Sequence, residues 1–263
     1  MLRYMAEIAF PHYVHDRRIR RSTAAEQEIR LLQLLCSKDR LAVDIGANQG
    51  LYVHHFEKLA LGVIAFEPIP AMQQHLKRFY RKTRIEGVAL SDKEGLATLR
   101  MPSGNTSWAT IAPTNNLELA DRDSGFVNIE VPIRTLDSYG LANVAIIKID
   151  VEGNEEAVLR GATNLINSER PNFVIEIEER HNPGSIARVD EFMTDLRYRG
   201  FFFHGNKLSP MATFNPALDQ PISNVGVGGK SGRYINNFIF VPAEKSSDFT
   251  AAVSRLTDPA VRR

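Results

Sequence analysis

The chain has 263 residues, of which 43% are hydrophobic and 24% are charged, and its net charge is +1 at pH 7. This composition is typical of a globular protein, with length enough for one large domain, and the small net charge excludes a global field that attracts nucleic acid or anionic membranes. The single cysteine, Cys36, excludes an internal disulfide and a thiolate-rich metal site.

Residues 1–22 show no clear periodicity, and we interpret them as a lead-in segment. Their run HDRRIRR at 15–21 is a local basic patch. We favour the interpretation that this patch is solvated surface, and the alternative is a contact for nucleic acid. The N-terminus has no apolar core followed by a cleavage site, and no run approaches the roughly 18 apolar residues of a membrane span. We therefore expect a cytoplasmic protein.

Helical and extended patterns alternate along most of the remaining chain. Thr23 and Glu26 have the spacing of a capping box, which predicts a helix that runs to about Lys38. The other predicted helices cover about 51–60, 70–81, 155–166 and 186–199, and the predicted strands cover 41–45, 63–66, 85–90, 145–149, 172–177, 200–204 and 237–241. This alternation predicts an α/β fold whose mostly parallel sheet is covered by helices on both faces.

Residues 95–140 interrupt the alternation. Two short strands flank the polar stretch 103–124, which is too short to hold a core of its own, so we interpret the region as an insertion or lid. We expect one domain over 23–245 and a tail over 246–263. The segment 103–108 is placed to close over a pocket, where Trp108 either stacks on an acceptor ring or anchors the insertion in the core.

Each of the first five predicted strands ends at a polar residue. These strand-end acids are Asp44, Glu67, Asp92, Asp150 and Glu178. In an open α/β sheet, ligands bind outside the carboxyl ends of the strands, at the point where the strand order reverses. Acids also mark places where strands meet water, but five of them at one edge favour a binding site.

The stretch RLAVDIGANQGLY at 40–52 predicts a backbone bend between a strand and a helix. Gly46 and Gly50 allow close approach of a ligand, and free N–H groups at the helix start can meet an anion. Dinucleotide sites need G-x-G-x-x-G, whereas Asn48 occupies the middle position here. With Ala47 and Asn48 among its contacts, the bend suits a smaller ligand that has a carboxylate, amine or adenosyl group. The alternative is a tight turn without a ligand.

The next two strand ends extend this prediction. Glu67 lies at the position where an acid accepts hydrogen bonds from both hydroxyls of a ribose. Asp92, preceded by Ser91, is placed to accept a hydrogen bond from an adenine amine. Together with Asp44 and the glycine bend, these residues predict an adenosine pocket without phosphates, and S-adenosylmethionine is the common cofactor of that description.

Five segments, VDIGANQGLY, AFEPIP, VALSDKEG, IIKIDVEGNEEAVLRGA and PNFVIEIEERH, resemble the FkbM family of S-adenosylmethionine-dependent methyltransferases. The resemblance covers roughly residues 26–205. It implies the class I methyltransferase fold, a Rossmann-like sheet of seven strands in the order 3-2-1-4-5-7-6 with strand seven antiparallel. The family includes O-methyltransferases that act on sugars and on polyketide hydroxyls.

In that strand order, Asp150 faces the glycine bend. Transfer of a methyl group to a hydroxyl benefits from a base within hydrogen-bond reach, so Asp150 is the first candidate and His181 the second. Glu152 orients groups nearby or, alternatively, stabilises the following helix. Lys148 needs a partner inside the sheet, and a structural ion pair with Glu176 is favoured over a catalytic role. These groups also include ligands that Mg²⁺ accepts, but we predict no metal.

The predicted function is O-methylation of a hydroxyl group on a small molecule or a glycan. One alternative is an RNA or protein methyltransferase, which would need a basic groove; we expect no nucleic acid. Another alternative is a protein that binds the cofactor without catalysing transfer. The glycine-rich run at 224–234 is either a flap beside the acceptor or an unstructured loop.

Overall fold

A sheet of eight strands forms the centre of the molecule. The structure is a computed structural model, and it describes residues 10–103, 105–115, 117, 125–226, 229–230 and 232–257. The helices are α1 Pro11–Ala25, α2 Leu32–Leu35, α3 Leu51–Leu59, α4 Pro70–Phe79, α5 Glu155–Arg160, α6 Thr163–Glu169, α7 Ser185–Asp195, α8 Pro216–Asp219 and α9 Ser246–Thr257. The strands are β1 Leu41–Ile45, β2 Gly62–Phe66, β3 Arg84–Glu86, β4 Ala89–Leu90, β5 Gly95–Pro102, β6 Phe126–Arg134, β7 Val144–Ile149, β8 Asn172–Glu176, β9 Tyr198–His204, β10 Lys207–Pro210, β11 Val225–Gly226, β12 Gly229–Lys230 and β13 Asn237–Pro242.

The strand order of the central sheet is β3-β2-β1-β7-β8-β13-β9-β10. The pairs from β3 to β8 are parallel, and β13 runs antiparallel to both of its neighbours. This order confirms the predicted class I methyltransferase sheet. The predicted number of seven strands was one too few, because β10 pairs with β9 and adds an eighth strand at the edge.

Helices cover both faces of this sheet, as predicted. On one face, α5, α6 and α7 contribute Val158, Leu165 and Val189 to the larger core. On the other face, α3 and α9 contribute residues such as Phe56 and Val253 to a second core. The predicted tail therefore contains a packed helix up to Thr257, whereas residues 258–263 lie outside the described part of the chain.

The predicted third strand, 85–90, is in fact two strands that belong to different sheets. The strand β3 stays in the central sheet, whereas β4 pairs with β6 in a smaller sheet that also contains β5. Ala89 packs in a separate small core with Leu99 and Val131. A continuous apolar pattern does not reveal that its two ends are buried in different cores, so the sequence missed this division.

The predicted helix start at Thr23 was also wrong. The helix α1 ends at Ala25, where the sequence predicted a helix start, and the Thr23 hydroxyl donates to the Ile19 carbonyl inside its last turn. Pro11 in the first turn, and buried His15 and Ile19 four residues apart, are the signals of this helix. No helix in the described part of the chain has the length and hydropathy needed to cross a membrane.

Candidate functional site

A cavity of about 680 Å³ lies at the carboxyl ends of β1, β2, β7 and β8. Its lining includes four of the five strand-end acids and four residues of the glycine bend: Asp44, Glu67, Asp150, Glu178, Gly46, Ala47, Asn48 and Gln49. The crossovers of the parallel strands bring these positions together at the point where the strand order reverses. The structure thus places most of the predicted site residues around a single cavity.

Gly46 is required by a close approach between two chain segments. Its φ is +80°, and a Cβ at this position would lie 1.8 Å from the Asp150 carbonyl oxygen. The Asp150 N–H donates to the Ile45 carbonyl at 2.9 Å, which fixes the end of β7 against the bend. Packing against Asp150 therefore explains the glycine before any ligand is considered.

Gly50 does not line the cavity. It precedes α3 with a φ of +83°, and a Cβ there would lie 2.3 Å from the Tyr80 ring and 2.9 Å from Leu76. Its absence of a side chain lets α3 pack closely against α4. The sequence therefore located the bend correctly, but Gly50 lies at the start of α3 and not in the cavity lining.

Glu67 holds the glycine bend in place. Its carboxylate accepts hydrogen bonds from the N–H of Asn48 at 2.7 Å and from the N–H of Ile69 at 2.8 Å. Burial raises the pKa of Glu67 to about 7, although these two hydrogen bonds oppose the rise. Each carboxylate oxygen keeps a further lone pair that a ligand hydroxyl can use.

Asp44 has a buried oxygen that lacks a partner. The residue is only 2% exposed, and its Oδ2 makes no hydrogen bond with any described residue. Burial raises the pKa of Asp44 to about 7, and the neighbouring Lys148 opposes that rise. Because an unsatisfied buried oxygen is costly, this atom at the cavity wall fits a donor group supplied by a ligand.

Ser91 and Asp92 lie outside the cavity lining. Because the chain leaves the central sheet after β3, the predicted third strand does not end at the same edge as its neighbours. Ser91 is buried with its carbonyl packed close to Gly161, and Asp92 is exposed. In their place the cavity has an apolar wall formed by Ile69, Ala89, Leu90, Leu99 and Ile111.

Lys148 lies between two carboxylates beneath the other half of the cavity. Its Nζ is 4.0 Å from Asp150 Oδ2 and 4.0 Å from Glu176 Oε2, and it donates to Asn237 Oδ1 at 3.2 Å. Burial alone would lower the pKa of Lys148, but the carboxylates of Asp150 and Glu176 raise it above its ordinary value. Lys148 is therefore a buried cation. It pairs with Glu176, as predicted, and also with Asp150.

Glu152 lines the cavity in a strained backbone conformation, with a φ of 54°. Its carbonyl accepts hydrogen bonds from Thr110 Oγ1 at 2.7 Å and Asn115 Nδ2 at 2.9 Å, both in the insertion. Its carboxylate Oε2 lies 3.1 Å from His181 Nε2. A left-handed conformation costs about 1–2 kcal/mol for such a residue, so the insertion stabilises a position that the chain alone disfavours.

His181 is buried behind Glu152 and does not line the cavity. Its Nε2 is also 3.9 Å from Glu178 Oε2. Burial raises the pKa of Glu152 well above its ordinary value, and the carboxylates of Asp150 and Glu176 add to the rise. The Glu152 carboxyl therefore has a raised affinity for a proton, and the imidazole of His181 lies next to it.

The insertion closes over the cavity through the turn at Thr106–Trp108. Thr106 Oγ1 donates to Asn48 Oδ1 at 3.4 Å, and Asn48 Nδ2 donates to Ser107 Oγ at 3.3 Å, so this turn meets the glycine bend. Trp108 is half-buried and lines the cavity, and the Arg180 guanidinium lies 5.2 Å from its ring centroid. Of the two predicted positions for Trp108, the structure places it in the cavity wall.

Several lining residues were missed in the sequence. The helix α1 contributes Arg18, Ile19 and Ser22, and the Arg18 guanidinium donates to Gln49 Oε1 at 2.9 Å. Arg180 was also missed; it lies in the turn after β8, two residues beyond Glu178.

The described residues contain no group of three or more His, Cys, Asp or Glu side chains that could hold a metal ion. The glycine-rich run predicted as a flap or loop is described only in part, since residues 227, 228 and 231 lie outside the described residues. Residues 104, 116 and 118–124 of the polar stretch are likewise outside.

Comparison with known proteins gives a consistent family match. The Methyltransferase FkbM domain matches residues 44–200. Hexuronic acid methyltransferase AglP of Haloferax volcanii is 29% identical over 175 residues, which are 65% of this chain and 70% of that protein. AMB antimetabolite synthetase AmbE of Pseudomonas aeruginosa is 24% identical over 202 residues, 62% of this chain, but the match spans only 10% of AmbE. Among solved structures, Methyltransferase FkbM from Methylobacillus flagellatus is 17% identical with a TM-score of 0.48, covering 78% of this chain and 44% of that one.

Proposed function

The chain belongs to the FkbM methyltransferase family, and we propose from this premise that it transfers the methyl group of S-adenosylmethionine to a hydroxyl of a sugar or another small molecule. The observation that carries the proposal is the unpartnered Asp44 oxygen, which lies beside Glu67 at one side of a cavity whose other side holds Glu152 and Asp150.

The side of the cavity near β1 and β2 fits S-adenosylmethionine. Its ammonium group would supply the donor that Asp44 Oδ2 lacks, and its ribose hydroxyls would use the remaining lone pairs of Glu67. The apolar wall that includes Leu90 and Leu99 offers a surface for adenine. No phosphate is needed, in keeping with Asn48 in place of the middle glycine of dinucleotide sites. When bound, the cofactor supplies a methyl group made electrophilic by the positive sulfur.

The side near β7 and β8 is suited to bind the acceptor. Asp150 is held by Lys148 and would orient the acceptor hydroxyl through a hydrogen bond. Glu152 would take the hydroxyl proton as the carbon–oxygen bond forms, and His181 would act as a positioning residue behind it. These roles refine the predicted set, because His181 reaches the cavity only through Glu152.

A sugar suits the outer part of this side. Trp108 presents an aromatic surface to the cavity, and carboxylates such as Glu176 can accept hydrogen bonds from neighbouring hydroxyls. The name of the relative AglP refers to a hexuronic acid, which supports a carbohydrate acceptor.

The charge of the lining disfavours RNA as the acceptor. The cavity is lined by seven acidic side chains, Glu26, Asp44, Glu67, Asp150, Glu152, Glu176 and Glu178, and by three basic ones, Arg18, Lys148 and Arg180. A phosphodiester chain entering this cavity would meet more negative than positive charge. A neutral, hydroxyl-rich acceptor would not meet that repulsion.

Two measurements test the proposal. Isothermal titration of S-adenosylhomocysteine should give one site per chain, and Asp44→Asn should weaken it about tenfold or more, whereas the exposed Asp92→Asn variant should bind normally. Tritium from labelled S-adenosylmethionine should then pass to a compound in an extract of neutral saccharides. Absence of titration heat would refute the cofactor assignment, and binding without transfer would favour the non-catalytic alternative.

A further inference from the structure

One face of α1 is exposed and has both aromatic and cationic side chains. Phe10, just before the helix, and Tyr13 are 66% and 68% exposed. Arg17, Arg20 and Arg21 are also exposed. At 100° per residue, these five positions fall within one arc of about 100°, opposite the buried Ile19. The helix is therefore amphipathic in an unusual sense, because its outer face combines large apolar groups with positive charge.

The positive charge of the molecule is concentrated at this place. Residues 10–25 include four arginines and one acid, and residues 77–82 include four cations and no acid, although the whole chain has a net charge of only +1. Among the described residues, Arg17, Arg20 and Arg21 make no ion pair. Their charge is therefore available to an external partner.

The helix α4 packs against α1 and also has basic residues. The Phe79 ring stacks against His15 of α1 with centroids 4.1 Å apart, and the Arg78 guanidinium lies 5.6 Å from the same Phe79 ring. Lys77, Arg81 and Lys82 are exposed nearby in the sequence. Both of these packed helices therefore have exposed cations.

The inner face of α1 lines the cavity through Arg18, Ile19 and Ser22. The helix therefore separates the candidate site from its own exposed face by about one helix diameter, roughly 10 Å. Whatever binds the outer face of α1 lies next to the cavity.

We propose that the outer face of α1 docks the protein on an anionic lipid bilayer, with the helix lying in the plane of the interface. Arginines attract anionic headgroups, and the exposed rings of Phe10 and Tyr13 have a favourable position at the boundary between headgroups and acyl chains. A flat bilayer contacts α1 from outside, whereas a nucleic acid that is to be modified would have to enter the acid-rich cavity. The docking places the cavity beside acceptors held at that surface, and it does not depend on methyl transfer.

Co-sedimentation with vesicles tests the docking surface. The full chain should bind vesicles in which about one lipid in three is phosphatidylglycerol and the rest is phosphatidylcholine. It should not bind vesicles of pure phosphatidylcholine at the same lipid concentration. The variant Arg17→Gln/Arg20→Gln/Arg21→Gln should bind the anionic vesicles on the order of 100-fold more weakly. Phe10→Ser/Tyr13→Ser should weaken binding on the order of tenfold.

A charge-matched variant is the control. Lys93→Gln/Lys207→Gln/Arg255→Gln removes the same charge from exposed positions that lie outside α1 and outside the two helices that pack against α1, which are α3 and α4. This variant should retain vesicle binding within about threefold. Circular dichroism and S-adenosylhomocysteine titration verify that each variant is folded. Equal losses in both charge variants, no binding to anionic vesicles, or displacement from them by a 20-nucleotide RNA at about equimolar phosphate would overturn the proposal.

Discussion

The two sides of the cavity are built by different means. On the side near β1 and β2, backbone N–H groups of the glycine bend and of the turn after β2 donate to Glu67, so these hydrogen bonds join residues at most 19 positions apart. On the side near β7 and β8, Glu152 is held by Thr110 and Asn115, and Arg180 contacts Trp108, so residues distant in sequence shape it. The contrast fits a common cofactor on the first side and a specific acceptor on the second.

The insertion has a double role in this contrast. It supplies the apolar wall residues Leu99 and Ile111 near the first side, and it fixes the backbone of Glu152 on the second. Changing its sequence can therefore alter the acceptor side while the glycine bend stays intact. Mutations on each side of the cavity can therefore test whether the two sides act separately.

The largest expected effect is on the acceptor side. Glu152→Gln should lower the rate of methyl transfer about 10²- to 10³-fold, because an amide cannot take the acceptor proton. Affinity for S-adenosylhomocysteine should change by less than about threefold. Tritium transfer to the acceptor found in the saccharide extract, combined with calorimetry, measures both quantities.

The matched control is Glu155→Gln. Glu155 is a buried neighbouring acid that accepts a hydrogen bond from the Gly153 N–H at 2.8 Å and does not line the cavity. Its replacement should leave methyl transfer within a few-fold of the wild type. Equal rate losses in the two variants would mean that Glu152 acts only through the local structure.

The next effect concerns the junction of the two sides. Gly46→Ala should lower the free energy of unfolding by about 3 kcal/mol or more, because its Cβ would overlap the Asp150 carbonyl and the residue has a positive φ. Gly140→Ala is the control, since Gly140 has a φ of +56° but no atom within 4 Å of its Cβ position. That variant should lose only about 1 kcal/mol in urea denaturation. Similar losses at the two positions would show that the junction is not tightly packed.

A pH experiment sharpens the description of the cofactor side. The pKa of Asp44 is about 7 in the folded protein and has an ordinary value of 3.8, so the folded state retains its proton between these values. The buried carboxylate therefore destabilises the fold increasingly as pH rises from 4 to 8. Asp44→Asn should be more stable than the wild type by about 2 kcal/mol at pH 8, and this difference should vanish near pH 4. A difference in unfolding free energy that stays constant with pH would contradict the buried state of the Asp44 carboxyl.

The smallest expected effect concerns acceptor binding. Trp108→Leu should raise the KM for the acceptor about five- to tenfold, which corresponds to about 1 kcal/mol of lost aromatic contact, with little change in kcat. Trp108→Phe should recover most of the loss. A normal KM in the leucine variant would show that the ring belongs to the insertion alone.

The sequence predicted the side of the cavity near β1 and β2 better than the side near β7 and β8 for a physical reason. Strand, bend and helix around Gly46 follow one another within a few residues, so local pattern determines them. Glu67 lines the cavity because acids at the ends of parallel strands meet at one sheet edge. Ser91 and Asp92 lie away from the cavity because the chain leaves the central sheet before it reaches them. A pattern of apolar residues does not indicate which sheet a strand joins.

Contacts between distant segments were beyond the sequence. Arg18 reaches the cavity because α1 packs against α3 and α4, and no local pattern indicates that packing. Likewise, the sequence identified His181 as a candidate base, but only the folded chain shows that it lies behind Glu152. Long-range packing decides which side chains face a cavity, and a single sequence does not encode it in readable form.

A crystal structure of the protein soaked with S-adenosylhomocysteine tests the division of the cavity most directly. We predict density for the ligand on the side of Asp44 and Glu67, with one of its donor groups within hydrogen-bond distance of Asp44 Oδ2 and the space between Glu152 and Trp108 left for the acceptor. Density on the Glu152 side, or no contact with Asp44 in a fully occupied complex, would contradict the account.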